Sequence, residues 1–201
     1  MRIKWTLPVV FCLVPWGFLC AQEPSCGQIA SMARMARARS NTELIADELN
    51  AGKNYRAQVV FAALHFELDP ANKHAAEALL ILIPKDDAQH LVWMTFGDSL
   101  CDAEPIENMK SLGRLGERLS RDLARATLLV PEKMRAYVSY ASTAVQDPHN
   151  DYAEQMRTVC RANHTGFTKA IEAMPEKDRT WFVGHIFNPV GCRTLAFPEA
   201  D

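Results

Sequence analysis

Cys160 and His164 have the residue types and the spacing of a metal-binding pair. They lie four residues apart, which places a thiol and an imidazole on one face of a helix, and His149 or Cys192 could supply a further ligand. However, the sequence contains no CxxC, HExxH or CxxCH motif. We therefore expect no metal or other cofactor, with Cys160 in a disulfide and His164 on the surface, and the Cys160–His164 metal site remains the alternative.

A second group of reactive side chains is acidic. Asp98, Asp102 and Glu104 lie close together before Pro105, where a pair of carboxylates could act as general acid and general base, as in small secreted glycosidases. Acidic side chains at the end of a helix are more often solvated. We expect these three to face solvent.

Ser99 lies in the same segment, Phe96–Asp102, which reads FGDSLCD. This stretch resembles the first sequence block of the GDSL esterases and lipases. The resemblance implies that Ser99 is a nucleophile and that its backbone amide stabilises an oxyanion, with Asp98 and Asp102 beside it.

The surroundings of Ser99 differ from those of that family. The sole Asp-x-x-His motif, which begins at Asp87 and ends at His90, precedes Ser99 instead of following it. On one helix, His90 and Ser99 would lie about 13 Å apart along the axis, whereas a serine and its base must approach to about 3 Å. We therefore expect no catalytic residue here, and a helix C-terminus at Gly97 and Asp98.

The first 21 residues have the composition of an export signal. Arg2 and Lys4 precede an uncharged, mostly apolar run that ends at Ala21, a small residue of the kind that signal peptidases require. The run is shorter than the roughly 20 apolar residues that span a bilayer. We expect cleavage after Ala21, a mature chain of residues 22–201 that is secreted or periplasmic, and no integral membrane segment after cleavage.

Charge and cysteine content narrow the class of protein. Without Arg2 and Lys4, 20 basic and 24 acidic side chains remain, a net charge of about −4 that argues against a nucleic-acid partner. Four cysteines follow the signal, and an even number in an oxidising compartment predicts two disulfides. Of the three possible pairings we favour the sequential one, in which Cys26 joins Cys101 and Cys160 joins Cys192.

Helices must position all of these side chains. Apolar residues recur every three or four positions through most of the chain, which predicts an all-α fold. The 180 residues that follow the signal are enough for one domain and too few for two ordinary ones, so we expect a single domain over 22–201. The clearest helix is predicted over 106–129, and a second long helix over 151–173. An offset of 44 residues pairs Leu123 with Phe167 and Pro131 with Pro175, so each unit reads as a long helix, a proline turn and a shorter helix.

This self-similarity resembles the stacked helical hairpins of short α-solenoids of the HEAT and tetratricopeptide kind. We expect hairpins near 70–104, 105–147 and 148–189. Tyr137, Tyr140 and Trp181 would fill the seams between hairpins or face a partner. The sequence thus favours an exported, non-catalytic protein that binds a protein or peptide or has a structural role in the envelope. The alternative is a small secreted hydrolase that uses Ser99 or the nearby carboxylates.

Overall fold

The computed structural model of the 201-residue chain describes residues 25–51, 54–94, 106–145 and 151–195. These residues form a mostly helical protein with one two-stranded sheet, which confirms the predicted all-α class. The helices are α1 (Cys26–Arg39), α2 (Thr42–Ala51), α3 (Tyr55–Leu68), α4 (Lys73–Ile81), α5 (Asp87–Met94), α6 (Ile106–Leu129), α7 (Met134–Ala144), α8 (Tyr152–Ala162), α9 (His164–Glu172) and α10 (Glu176–His185). Within this part of the chain, no helix is both long enough and apolar enough to cross a membrane.

The longest helix, α6, is the centre of the fold. It packs against α1, α3, α4, α7 and α8. Leu119, Leu123 and Ala126 belong to the apolar stripe that the sequence predicts, and all three are buried. A stripe with helical spacing must be covered by neighbouring helices because its burial removes apolar surface from water.

The helices begin where polar side chains can cap them. Ser25 accepts a hydrogen bond from the backbone N–H of Gln28, whose side chain accepts one from Ser25 in return, and this reciprocal pair starts α1. Asn54 and Asn72 accept hydrogen bonds from backbone N–H groups in the first turns of α3 and α4. These caps satisfy backbone donors that have no partner within a helix.

The predicted long helix over 151–173 is wrong, because Asn163 divides it into α8 and α9. The Asn163 backbone is not helical, with φ −143° and ψ 66°, and its side chain accepts a hydrogen bond of 3.0 Å from the N–H of Gly166. A Cβ at position 166 would lie 2.8 Å from the Asn163 side chain. Glycine at 166 and asparagine at 163 therefore form one compact helix start.

The two proline turns differ in detail. Pro131 is the first residue of a 3₁₀ turn, Pro131–Lys133, that leads into α7. Pro175 precedes α10 as its N-cap residue, with ψ 140°. In both positions a missing backbone N–H costs no helical hydrogen bond.

After α10 the chain forms a small antiparallel hairpin, β1 (Phe187–Asn188) and β2 (Arg193–Thr194), in which Phe187 pairs with Thr194. Phe187 is fully buried and packs against the rings of Phe167 and Phe182. Cys192 has a positive φ of 48° in the turn. Through Phe187 the hairpin packs against α9 and α10. The sequence predicts no sheet in this part of the chain.

Candidate functional site

A groove of about 620 Å³ lies between the end of α4, the turn that follows it, the start of α5 and α7. This volume is typical of a ligand-binding site. Its apolar lining comes from both sides of the groove and consists of Leu80, Ile81, Ile83, Pro84, Ala136 and Tyr140. Ile81 is 57% exposed although it is a large apolar residue. The groove therefore offers apolar surface to a ligand.

Charged side chains line the same groove. Lys85 lies on the turn after α4, and Lys133 lies at the start of α7. Within the described part of the chain, neither lysine forms an ion pair. The ammonium groups of Lys85 and Lys133 can donate charge-assisted hydrogen bonds to a carboxylate, while the carboxylates of Asp86 and Asp87 line the same groove.

The acidic residues of the groove have a structural role. Asp86 accepts a hydrogen bond of 2.8 Å from the N–H of Gln89, and the Gln89 side chain accepts one of 3.0 Å from the N–H of Lys85. Asp87 lies in the first turn of α5, where the helix dipole favours a negative charge. These contacts fix the start of α5 and hold the turn that carries Lys85.

Aromatic rings support the groove from below. The Tyr140 ring makes edge-on contacts with His90, Trp93 and Tyr152, at centroid distances of 5.8, 5.5 and 5.5 Å. It thereby joins α7 to α5 and α8. Edge-on pairs are a favoured geometry for aromatic rings, so this cluster holds the floor of the groove in one arrangement.

All four tyrosines of the chain have raised phenol pKa values, and burial is the main cause. Burial raises the pKa of Tyr140 to about 12, although the neighbouring Tyr152 side chain opposes the shift. The pKa values of Tyr55, Tyr137 and Tyr152 rise further above the ordinary value. The Tyr55 hydroxyl also donates a hydrogen bond of 2.5 Å to the carbonyl of Leu82, next to the groove.

His90 lines the groove beside Tyr140. Its Nδ1 atom is buried and makes no hydrogen bond within the described residues. The edge contact with the Tyr140 ring makes His90 part of the aromatic cluster.

A second cluster lies at the other end of the described chain. Cys160 and Cys192 form a disulfide, with their Sγ atoms 2.09 Å apart, as the sequential pairing predicts for these two residues. The His164 ring lies beside them, and the three potential metal-ligand atoms are all within 4.8 Å of one another. Cys160 and His164 thus lie close together even though the helix breaks between them.

The remaining sequence-predicted residues fall in three groups. The segment with Asp98, Ser99, Cys101 and Asp102 lies outside the described residues. The same is true of residues 1–21, residues 104–105 and His149. For Cys26 the structure describes the backbone and not the side chain. Tyr137 is fully buried, which leaves it no surface for a partner. Trp181 is 41% exposed and stacks on His185, whereas Tyr140 lines the groove.

Sequence reasoning missed Lys85 and Lys133 as site residues. Lys85 follows Pro84 directly, and Lys133 is the last residue of the 3₁₀ turn that Pro131 begins. The two proline turns were recognisable in the sequence, but both line one groove only because α4 and α7 pack against α6. No local sequence signal marks the two lysines as neighbours.

Comparison with known protein families, curated proteins and solved structures gives no match to this chain. The groove and the cysteine cluster are therefore interpreted from their own chemistry.

Proposed function

We propose that this chain is an exported, non-catalytic helical protein that binds a peptide segment of a partner protein in the groove between α4, α5 and α7. The observation that carries this proposal is the groove itself, in which exposed Ile81 lies in the same lining as Lys85 and Lys133. The apolar surface accommodates an apolar side chain, and the lysines attract a carboxylate. The matching ligand is a peptide with an apolar residue next to an acidic residue or a free C-terminus.

Helical repetition supports a binding role. At the 44-residue offset, Leu123 corresponds to Phe167 and Val138 to Phe182, and all four side chains are completely buried. We propose that 105–147 and 148–189 are two related helical units. Stacked helical repeats create extended concave surfaces, which suit them to binding.

Export is the second part of the proposal, and it rests on the basic and apolar composition of residues 1–21 together with the Cys160–Cys192 disulfide. Disulfides persist mainly in oxidising compartments. The intact mass of the exported protein tests this part. We expect a chain that begins at or next to Gln22, and a mature pool that retains Met1 would contradict export.

Site-specific photo-crosslinking tests the groove. A photoreactive phenylalanine at Ser139, which is exposed and lines the groove, should crosslink to a peptide with a leucine before a free C-terminal carboxylate. The same group at Ala46, an exposed position on α2, serves as the control. Crosslinking at 139 but not at 46 is the expected result. Equal crosslinking at both positions, or none at 139 across a library of such peptides, would reject the proposed binding groove.

A further inference from the structure

Four potential metal-binding atoms converge where α8, the start of α9 and the C-terminal hairpin meet. The Sγ atoms of Cys160 and Cys192 and a ring nitrogen of His164 lie within 4.8 Å of one another. The carbonyl oxygen of Pro189 lies 3.0 Å from Nε2 of His164, and 3.7 and 3.8 Å from the two Sγ atoms. The cluster therefore combines two sulfur atoms, one imidazole nitrogen and one backbone oxygen.

This donor set has a clear metal preference. Thiolate and imidazole ligands suit Zn²⁺, which takes four ligands in tetrahedral geometry and combines readily with two cysteines and one histidine. Two thiolates also neutralise the charge of the ion. The fourth ligand would be water or the Pro189 carbonyl, which already lies beside the other three groups.

The positions of the side chains fit an ion that enters from solvent. Cys160 and Cys192 are buried, so water is excluded from the sulfur side, whereas His164 is exposed. The imidazole therefore lies on the side from which an ion approaches. Asn163, which ends α8 and starts α9, fixes the position of His164 relative to Cys160.

We propose that Cys160, His164 and Cys192 bind Zn²⁺ when the Cys160–Cys192 disulfide is reduced. The disulfide takes two electrons and two protons from two thiols or from one dithiol, and these are oxidised to a disulfide in turn. The two thiols that result then lose their protons as Zn²⁺ binds both sulfur atoms. Bonds of about 2.3 Å at tetrahedral angles require the sulfurs to separate to roughly 3.8 Å.

The metal would preserve the connection that the disulfide makes. Cys160 lies on α8 and Cys192 in the turn of the hairpin, so either a covalent bond or a shared ion joins the same two elements. The protein would thus hold this end of its fold together in oxidising and in reducing surroundings.

Zinc titration of the mature chain tests the proposal. Protein over 22–201 is reduced with a phosphine under anaerobic conditions, and zinc chloride is added in competition with a chromophoric chelator. We expect one tightly bound Zn²⁺ per chain in the reduced protein and none at this site in the oxidised protein. Co²⁺ in place of Zn²⁺ should give the charge-transfer absorption of cobalt bound by thiolates.

Variants assign the ligands. His164→Ala should weaken zinc binding by about a hundredfold or more, since even residues outside a ligand set cost roughly 10- to 100-fold. His185→Ala is the matched control, because His185 is also exposed and its ring nitrogen also lies 3.0 Å from a backbone carbonyl. The double variant Cys160→Ser, Cys192→Ser should lose both the bound zinc and the cobalt charge-transfer band.

Three outcomes would overturn the proposal. These are the absence of stoichiometric zinc binding in the reduced protein, equal affinity in the His164→Ala and His185→Ala variants, and unchanged binding in the double cysteine variant, which would place the ion at other residues. Because His164 is exposed, its replacement should leave the helical circular dichroism unchanged. The histidine comparison therefore remains decisive even if the cysteine variant fails to fold.

Discussion

Alkaline titration offers a direct test of the aromatic cluster beneath the groove, because all four tyrosines have raised phenol pKa values. In the unfolded chain these phenols lose their protons near pH 10, at about the ordinary tyrosine pKa. In the folded chain they keep them to higher pH, to about 12 for Tyr140. The folded state then binds more protons than the unfolded state, so stability must fall as the pH rises above about 10.

The magnitude follows from the number of protons involved. Each retained proton contributes a limiting slope of about 1.4 kcal/mol per pH unit, so four tyrosines together give roughly 5.5 kcal/mol per pH unit. A domain with an ordinary stability of about 5–15 kcal/mol would therefore unfold within roughly one to three pH units above pH 10. The tyrosines should ionise together with unfolding and not before it.

The assay compares two signals at the same pH values, namely the ultraviolet absorbance of tyrosinate and the helical circular dichroism. We expect the two transitions to coincide. Tyr140→Phe should reduce the slope of the unfolding free energy against pH by about 1.4 kcal/mol per unit, because one proton is removed from the balance. Tyrosines that ionise near pH 10 while the helical signal is intact would refute the buried cluster.

Three further predictions concern stability and chemistry. Replacing Cys160 and Cys192 by alanine should lower the unfolding free energy by about 3.7 kcal/mol in denaturant titrations and the melting temperature by roughly 7–15 °C, because the bond closes a loop with a sequence separation of 32. Burial raises the pKa of Asp122, although Arg118 opposes the shift. The folded chain therefore takes up a proton at this carboxyl at a higher pH than the unfolded chain does. The stability of the wild type relative to Asp122→Asn should then increase as the pH falls from 7 towards about 4. Ser99→Ala should change stability by at most about 0.5 kcal/mol, and the wild-type protein should show no labelling by a serine-directed fluorophosphonate.

Each of these predictions has a distinct contradictory result. A double alanine variant as stable as the wild type would mean that the Cys160–Cys192 bond does not constrain the unfolded chain. A constant difference between wild type and Asp122→Asn across this pH range would show that Asp122 is not desolvated in the fold. Fluorophosphonate labelling that disappears in Ser99→Ala would support the hydrolase alternative instead of a binding protein.

Asp122→Asn is an informative variant because Arg118, which lies beside Asp122, also pairs with Glu67. Glu67 on α3 accepts a 2.7 Å hydrogen bond from Arg37 of α1 and lies 3.5 Å from Arg118 of α6. Arg118 also lies 3.8 Å from Asp122, so it keeps Glu67 as a partner when Asp122 becomes neutral. The variant therefore removes a desolvated charge without leaving an isolated guanidinium.

The helices were predictable where local signals agree with packing. The period of apolar residues identifies α6, and the proline turn at Pro131 marks the start of α7. Asn163 was not recognised as a break, because the apolar period continues across it and a single asparagine is tolerated within a helix. The side chain of Asn163 accepts a hydrogen bond from the N–H of Gly166, and this bond starts a new helix. It requires a backbone geometry that the period of apolar residues does not reveal.

The hairpin and the groove illustrate what sequence patterns leave open. Strands of two residues, Phe187–Asn188 and Arg193–Thr194, are too short to show alternation. The Cys160–Cys192 bond was one of several possible pairings, favoured because it joins neighbouring parts of the chain. The groove arises from the way α4 and α7 pack against α6, so the proximity of Lys85 and Lys133 has no signature in local sequence.

Binding of a peptide with an apolar residue beside a carboxylate can be assigned to the groove by comparing the affinities of two matched variants. Ala136 is exposed and lines the groove, whereas Ala46 is exposed on α2, so tryptophan at either position adds the same bulk in different places. The measurement is the dissociation constant, by fluorescence anisotropy, of a peptide selected from a library against the mature chain. We expect Ala136→Trp to weaken binding at least about tenfold, a change of about 1.4 kcal/mol, and Ala46→Trp to leave it unchanged. Equal affinities for the two variants would show that the peptide does not bind in the groove.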